Sequence, residues 1–213
     1  MSGVLAVIAK TPQPGRSKTR LCPPCTPRQA AALAEAALRD TLAAVGAAPV
    51  AARRVLVLDG APGDWADGFE ILAQRGDGLD ERLAAAFTDL DGPLFLIGMD
   101  TPQLAPDLIA DGLRALEACD ACLGPAPDGG YWGIGLRDPT AEAVLGVPMS
   151  VRTTHAAQAA RLRALGRDAL VLPTVRDVDT IADAFAVAAE APDTRFAATV
   201  KALDLAHAVR RGA

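Results

Sequence analysis

The residues best suited to chemistry lie in the loop that follows the first apolar segment. This basic loop, KTPQPGRSKTR, runs from residue 10 to residue 20, and lysine elsewhere is limited to Lys201. Its cations are Lys10, Arg16, Lys18 and Arg20, arranged around Gly15. Backbone N–H groups and basic side chains in a loop leading into a helix bind phosphate, although the spacing fits neither a Walker A loop nor a G-x-G-x-x-G fingerprint. We therefore predict phosphate binding here, the alternative being a solvated surface loop.

Two carboxylates could hold a metal ion near these phosphates. Asp100 follows the apolar run LFLIGM, and Asp179 belongs to the segment DVDT. A hard cation such as Mg²⁺ (or Mn²⁺) takes few protein carboxylates and leaves its other positions to water and phosphate oxygens. We predict that Asp100 and Asp179 share one such ion. Helix capping by either aspartate, or by Thr180, is the alternative.

Two glycine-rich segments could bring a ligand close to the backbone. The segment GPAPDGGYW contains the only tyrosine, and its paired glycines can adopt turn conformations closed to other residues. The residues expected to contact a ligand there are Asp128, Gly129, Gly130 and Tyr131. A β-turn between strands is the competing interpretation. Asp77 lies in the second segment, QRGDGL, where it is a weaker candidate.

Elements that would position these residues follow from the alternation of short apolar runs with alanine-rich segments. Strands are predicted at Val4–Ala9, Val55–Asp59, Phe69–Ala73, Pro93–Gly98, Ala121–Gly124, Gly130–Leu136 and Ala169–Leu172. Helices are predicted from a Thr26 cap to Gly46, and at Leu79–Leu90, Pro106–Ala118, Thr154–Leu165, Thr180–Glu190 and Thr194–Arg210. This order predicts one α/β domain over residues 1–213 with a mainly parallel sheet. Ligands in such folds bind beyond the carboxyl ends of the strands, where the candidate residues fall.

Composition excludes several classes of function. The chain has a formal charge of −5, yet its first 34 residues carry five cations and no acid, so the remainder carries −10. One basic loop on an acidic chain, with 4% aromatic residues, argues against nucleic-acid binding. No apolar run reaches membrane-spanning length, and the start does not resemble a signal peptide. We expect a soluble, cytoplasmic protein.

The cysteines form two C-x-x-C pairs, Cys22 with Cys25 and Cys119 with Cys122. Such pairs can bind zinc or act in redox chemistry. The 93 residues between the pairs and the two prolines inside the first pair favour incidental cysteines instead. His155 and His207 lie in helical sequence without a nucleophile beside them, and we interpret them as structural.

Taken together, the segments AKTPQPGRSKTRL, QRGDGLDERLAAAF, LIGMDTPQL, GPAPDGGYWGIGL and RDVDTIADA resemble, in order, a bacterial family of GT-A-type, glycosyltransferase-like proteins. That family is similar to the guanylyltransferase of coenzyme F420 synthesis. The resemblance implies the nucleotide-diphospho-sugar transferase fold, a Rossmann-like α/β/α sandwich. It also implies that Lys18 meets nucleotide phosphates, that Asp100 and Asp179 bind the metal, and that Gly78 and Leu79 lie near the nucleotide or acceptor.

The chain departs from the family pattern in two places, the first of which concerns acceptor recognition and the second of which removes one possible ligand. Met149–Thr153 replaces a typical Trp-Ser-Thr, and Pro127 stands where relatives often have an acid. The resulting hypothesis is a metal-dependent transferase that uses an NTP or a nucleotide sugar and an unidentified small-molecule acceptor, with Lys18 and Asp100 as catalytic residues. The alternatives are a non-catalytic nucleotide- or metal-binding protein that retains the fold and a Cys₄ zinc-binding module.

Overall fold

The computed structural model describes residues 3–205, which form a seven-stranded sheet in the order β3-β2-β1-β4-β6-β5-β7. The strands are β1 (Gly3–Lys10), β2 (Ala52–Asp59), β3 (Glu70–Ala73), β4 (Leu94–Gly98), β5 (Ala121–Pro125), β6 (Tyr131–Leu136) and β7 (Ala169–Val171). Strand β6 runs antiparallel to β4 and β5, and the other pairs are parallel. The prediction of a mainly parallel sheet is confirmed.

Helices cover both faces of this sheet. They are α1 (Pro27–Ala47), α2 (Leu79–Asp89), α3 (Pro106–Ala115), α4 (Thr154–Ala164), α5 (Ile181–Glu190) and α6 (Arg195–Ala202). Alternate side chains of β1 point to opposite faces, so Leu5 packs in a core with α1 and α3, whereas Val4 packs in a core with α2 and α4. A third apolar cluster joins the outer side of α1 to α5 and α6. The arrangement is the expected three-layer α/β/α sandwich.

The helix starts decide which polar residues remain available for chemistry. Thr26 and Gln29 form a capping box at α1, as predicted. Thr180 caps α5, paired with Asp183, while the N-cap residue of α3 is Ala105, which offers no side-chain cap. The capping interpretation is therefore wrong for Asp100 and Asp179, and both carboxylates are free for other contacts.

Element boundaries agree with the sequence to within a few residues. The largest differences are in α3, which ends at Ala115 and continues as a turn, and in α6, which ends at Ala202. The predicted extension of the last helix to Arg210, and His207 with it, lies outside the described residues. None of the helices over residues 3–205 is long and apolar enough to cross a membrane.

Candidate active site

A cavity of about 420 Å³ opens at the carboxyl ends of β1 and β4. These two strands are neighbours, with Ile8 opposite Gly98, so the loops that follow them meet. Predicted site residues that line this first cavity are Lys10, Arg16, Lys18, Arg20, Asp77, Leu79, Asp100 and Asp179. The fold thus brings the basic loop, both candidate metal ligands and the start of α2 to one place.

Lys18 is the most constrained residue of the site. Its ammonium lies 2.9 Å from Asp100 Oδ2 and 3.5 Å from Asp179 Oδ1, and it also donates to the carbonyl of Val178. The ammonium thus makes two hydrogen bonds, to Val178 and Asp179, and an ion pair with Asp100. The side chain is only 9% exposed. Lys18 therefore joins the two acidic loops and is not free to meet a phosphate in this state.

Backbone contacts hold these acidic loops together. The Val178 N–H donates to the Asp100 carbonyl at 3.0 Å, which fixes the segment before α5 against the end of β4. Lys18 itself has φ = 49°, a left-handed conformation uncommon for residues other than glycine, asparagine and aspartate. Ser150, which lines the same cavity, has φ = 59°. Such conformations cost free energy and concentrate at functional sites.

Arg20 completes a neutral group of charges. Its guanidinium lies 2.8 Å from Asp179 Oδ2 and remains 68% exposed. Lys18 and Arg20 thus balance the charges of Asp100 and Asp179. We call these four residues the charge cluster.

Lys10 and Arg16 are the cations left for an anionic ligand. Both line the first cavity, and neither makes an ion pair with any acid among residues 3–205. The side-chain contact of Arg16 is a 3.5 Å interaction with Gln13 Oε1. Two unpaired cations beside a neutral charge cluster give the cavity a positive mouth suited to phosphate.

Gln74 and Arg82 are among the residues of this cavity that were not predicted from the sequence. Gln74 donates through its side-chain amide to the carbonyls of Ala9 at 2.6 Å and Val57 at 2.9 Å, which ties the β3–α2 loop to the sheet. Arg82 lies 2.7 Å from Asp59, and this hydrogen bond lowers the pKa of that carboxyl. The position of Arg82, one helical turn after Leu79, was the sequence signal that could have indicated it.

A second cavity of about 340 Å³ adjoins the first and shares Arg20, Ser150 and Asp179 with it. Other residues that line it are Pro127, Asp128, Val151, Arg152, Arg176, Asp177, Thr180 and Asp183. The middle of the Met149–Thr153 departure from the family pattern, residues 150–152, therefore lies on its wall. Arg176 is paired with Asp183 at 2.9 Å, whereas Arg152 makes no ion pair within the described part of the chain.

Three carboxylates that line the second cavity converge on one another. Ligand atoms of Asp128, Asp177 and Asp179 all lie within 4.8 Å of one another. Burial raises the pKa of Asp177 to about 6, and the negative charges of Asp128 and Asp179 add to this effect. Asp177 was not among the predicted site residues, although the D-x-D spacing contained it.

The glycine-rich segments mainly set loop geometry. Gly129 and Gly130 form the tight turn between β5 and β6, in which Asp128 Oδ1 accepts the Gly130 N–H at 2.7 Å. Gly15 lies in a turn with φ = 78°, and Gly78 precedes the first residue of α2. None of these four glycines lines either cavity. The turn interpretation thus accounts for them, and their expected ligand contact stays a prediction.

Tyr131 lies elsewhere than expected. Its ring packs against the core on the α2 and α4 side, and its hydroxyl faces Met149 Sδ at 3.7 Å and Gln158 Oε1 at 3.5 Å. Burial raises the pKa of the phenol. Tyr131 lines neither cavity, because its position at the start of β6 directs it into the apolar layer.

The Cys₄ zinc alternative is wrong. Cys25 packs between α1 and the α5–α6 pair, while Cys122 lies in the sheet core, and all four cysteines are free thiols. Among residues 3–205, the three aspartates form the single group of three or more metal-binding side chains close enough to share an ion. Burial raises the pKa of Cys122 to about 12, which leaves it inert.

The contacts of Asp100 and Asp179 indicate whether these two carboxylates could bind a metal ion. Oxygens from both carboxylates converge on one cationic point, the Lys18 ammonium. Carboxylate oxygens are the ligands that Mg²⁺ and Mn²⁺ prefer. The pair therefore fits a cation in character, but a divalent ion would compete with Lys18 for it.

The fold and site define a protein with the nucleotide-diphospho-sugar transferase architecture. A structure from Desulfovibrio desulfuricans G20, provisionally assigned as a nucleotide-diphospho-sugar transferase, superposes with a TM-score of 0.85 and 25% identity over 99% of this chain and 98% of that one. CMP:2-keto-3-deoxy-manno-octonic acid synthetase, solved with CTP, superposes with a TM-score of 0.58 and 13% identity over 89% of this chain and 98% of that one. The 2-C-methyl-D-erythritol 4-phosphate cytidylyltransferase of Thermus thermophilus superposes with a TM-score of 0.55 and 17% identity over 90% of this chain and 100% of that one. The last two likenesses show the fold alone.

The chain belongs to the family described as "Uncharacterized protein conserved in bacteria (DUF2064)", whose model matches residues 29–151. No protein of curated function matches it by sequence. The matched range contains Asp100 and the β5–β6 turn but begins after the basic loop.

Proposed function

We propose that this protein is a transferase that binds an NTP or a nucleotide sugar in the first cavity and passes a nucleotidyl or glycosyl group to a small-molecule acceptor. One observation carries this proposal: Lys10 and Arg16, which make no ion pair among residues 3–205, line the same cavity at the strand ends as the charge cluster. A phosphorylated ligand would find both cations and carboxylates among the residues that line this cavity. The likeness to nucleotide-dependent transferases supports the same assignment.

In this proposal the chain's own residues divide the work. Lys10 and Arg16 bind the phosphates, and Arg20, exposed at the boundary of the two cavities, steadies charge on the group being transferred. Asp100 and Asp179 would hold Mg²⁺ or Mn²⁺, which would supply neutralisation of the departing phosphate oxygens. Leu79 and Asp77 also line the first cavity and would contact the rest of the nucleotide.

The second cavity suits the acceptor. It adjoins the first through Arg20, Ser150 and Asp179, so two substrates would meet at that shared wall. Placing reactants in contact is itself a large part of catalysis. Residues 150–152 of the altered Met149–Thr153 stretch line this cavity, which supports an acceptor different from that of relatives with Trp-Ser-Thr.

A thermal-shift panel tests the nucleotide assignment. The panel holds ATP, CTP, GTP, UTP, UDP-glucose and GDP-mannose, each with and without Mg²⁺. A ligand at about a hundred times its Kd should stabilise the fold by about 2.7 kcal/mol, which for a chain of this size raises the Tm by about 5 to 10 °C. With Mg²⁺ present, Asp100→Ala and Lys18→Ala should reduce the shift, and Arg114→Ala, a surface cation far from the cavity, should not. The absence of any shift across the panel would contradict the proposal.

Product analysis separates the two reactions and the non-catalytic alternative. Nucleotidyl transfer releases pyrophosphate, whereas glycosyl transfer releases a nucleoside diphosphate. A protein that shows metal-dependent nucleotide shifts but releases neither product with a broad panel of phosphorylated and hydroxylated acceptors would be a binding protein that retains the fold.

A further inference from the structure

We propose that Lys18 is an internal cation that occupies the metal position of the site and makes metal binding conditional on the arrival of phosphates. This inference rests on the proposed function, because it concerns how the same site would admit its metal. In the described state, Asp100 and Asp179 already share a positive charge, supplied by the protein itself.

The ammonium of Lys18 already has several protein partners, unlike a side chain that is available to bind a phosphate. The ammonium donates to Asp179 and to the Val178 carbonyl and forms an ion pair with Asp100, and the side chain is 9% exposed. Lys10 and Arg16, in the same cavity, have no such partners in the described structure. Lys18 can therefore hold the carboxylates or contact a phosphate, but it cannot do both with the same donors.

The charge balance explains why a metal alone would bind weakly. The charge cluster is neutral, with Lys18 and Arg20 against Asp100 and Asp179. A divalent ion entering alone must displace the Lys18 ammonium from both carboxylates and leaves an excess of positive charge in a cavity already lined by Lys10 and Arg16. Phosphates that enter with the metal offset this excess and give the released ammonium a new acceptor.

The backbone at Lys18 tells which variants test this proposal. Its φ of 49° suits glycine and asparagine, so Lys18→Gly and Lys18→Asn remove the ammonium without backbone strain. Lys18→Arg retains the charge. Lys10→Ala is the matched control, since it removes a cation from the same cavity that does not contact the carboxylates.

The first measurement is Mn²⁺ binding without nucleotide, followed by the electron paramagnetic resonance signal of free Mn²⁺. Lys18→Gly and Lys18→Asn should bind one Mn²⁺ at least about tenfold more tightly than wild type, and adding Asp100→Asn should abolish the gain. Lys10→Ala should change the affinity much less. Equal affinities in wild type and both Lys18 variants, with circular dichroism showing both folded, would overturn the proposal, as would a gain that survives Asp100→Asn.

The second measurement is the reciprocal one and uses inorganic tripolyphosphate in EDTA. Asp100→Asn removes one of the two carboxylates that hold the Lys18 ammonium, so metal-free tripolyphosphate should bind about tenfold more tightly than to wild type. Asp77→Asn removes the same charge from the same cavity without touching Lys18 and is the control. Identical gains in both variants would show a general charge effect and overturn the proposal.

These outcomes are separate from the fate of the proposed function. The Mn²⁺ titrations contain no nucleotide, so they judge Lys18 even if no nucleotide binds. Conversely, a strong nucleotide shift in the thermal panel together with unchanged Mn²⁺ affinity in the Lys18 variants would leave the transferase proposal standing and reject the internal cation.

Discussion

The Cα of Gly129 lies so close to the backbone of Arg152 that a Cβ there would stand 2.0 Å from the Arg152 carbonyl oxygen. The contact joins the β5–β6 turn, which carries Asp128, to the segment that carries Ser150 and Arg152. Both segments line the second cavity. A glycine expected to bring a ligand close to the backbone thus brings another backbone close instead.

Gly129→Ala should therefore destabilise the protein. The added Cβ meets a carbonyl that cannot easily move, and φ = 94° is strained for alanine. We expect a loss of about 2 to 4 kcal/mol in the free energy of unfolding, measured by urea denaturation. Gly68→Ala is the matched control, since Gly68 has φ = 85° but no atom within 4 Å of the point where a Cβ would stand, and it should lose about 1 kcal/mol. Equal losses would mean that the Arg152 contact does not matter.

Lys10→Ala and Arg16→Ala should each weaken nucleotide binding with little change in stability. Hydrogen bonds to charged groups contribute about 1.5 to 3 kcal/mol, so the Kd for the best nucleotide should rise about tenfold to a hundredfold. Isothermal titration calorimetry at two salt concentrations checks this, with Lys201→Ala, an exposed lysine on α6, as control. Unchanged Kd values in both variants would mean that the basic loop is a solvated surface loop that does not bind the nucleotide.

The Arg82–Asp59 pair predicts a pH-dependent contribution to stability. The hydrogen bond from Arg82 lowers the pKa of Asp59, so the pair stabilises the fold above the unfolded-state pKa and loses this effect as the pH falls through the folded-state pKa. Arg82→Gln should cost about 1 kcal/mol at pH 6 and less below about pH 4. Urea unfolding of both proteins from pH 3 to 7 measures the difference. A difference that does not shrink in acid would show that the hydrogen bonds of Arg82 to Gly76 and Gln74 account for its role.

The four cysteines should divide into two reactivity classes. Cys25 and Cys122 are buried, and burial raises the pKa of both thiols, to about 12 for Cys122. At pH 8 roughly one Cys122 in ten thousand would be a thiolate. Iodoacetamide labelling followed by mass spectrometry should modify Cys22 and Cys119 in the native protein and all four cysteines in urea. Rapid native labelling of Cys122 would contradict its described position.

Much of the fold was determined locally and could be predicted. Strand and helix positions followed from apolar periodicity, and the Thr26–Gln29 capping box followed from residues three apart. The four cations of the basic loop are neighbours along the chain, so their association with one cavity also followed from the sequence once the strand before them was located. Interactions that span a few residues leave a signature in the sequence that needs no knowledge of the rest of the fold.

Only the tertiary structure decided how the charges pair. Lys18 and Asp179 are 161 residues apart. They meet because β1 and β4 lie side by side and because the Val178 N–H donates a hydrogen bond to the carbonyl of Asp100, just after β4. Locally, Asp179 and Thr180 were equivalent candidates to cap α5, and the choice of Thr180 left Asp179 to Lys18 and Arg20. Ion pairs form between whichever side chains the strand order brings together, and strand order depends on packing across the whole sheet. The sequence by itself therefore determined which residues could form a site, whereas the tertiary structure decided that Lys18 stands between its two carboxylates.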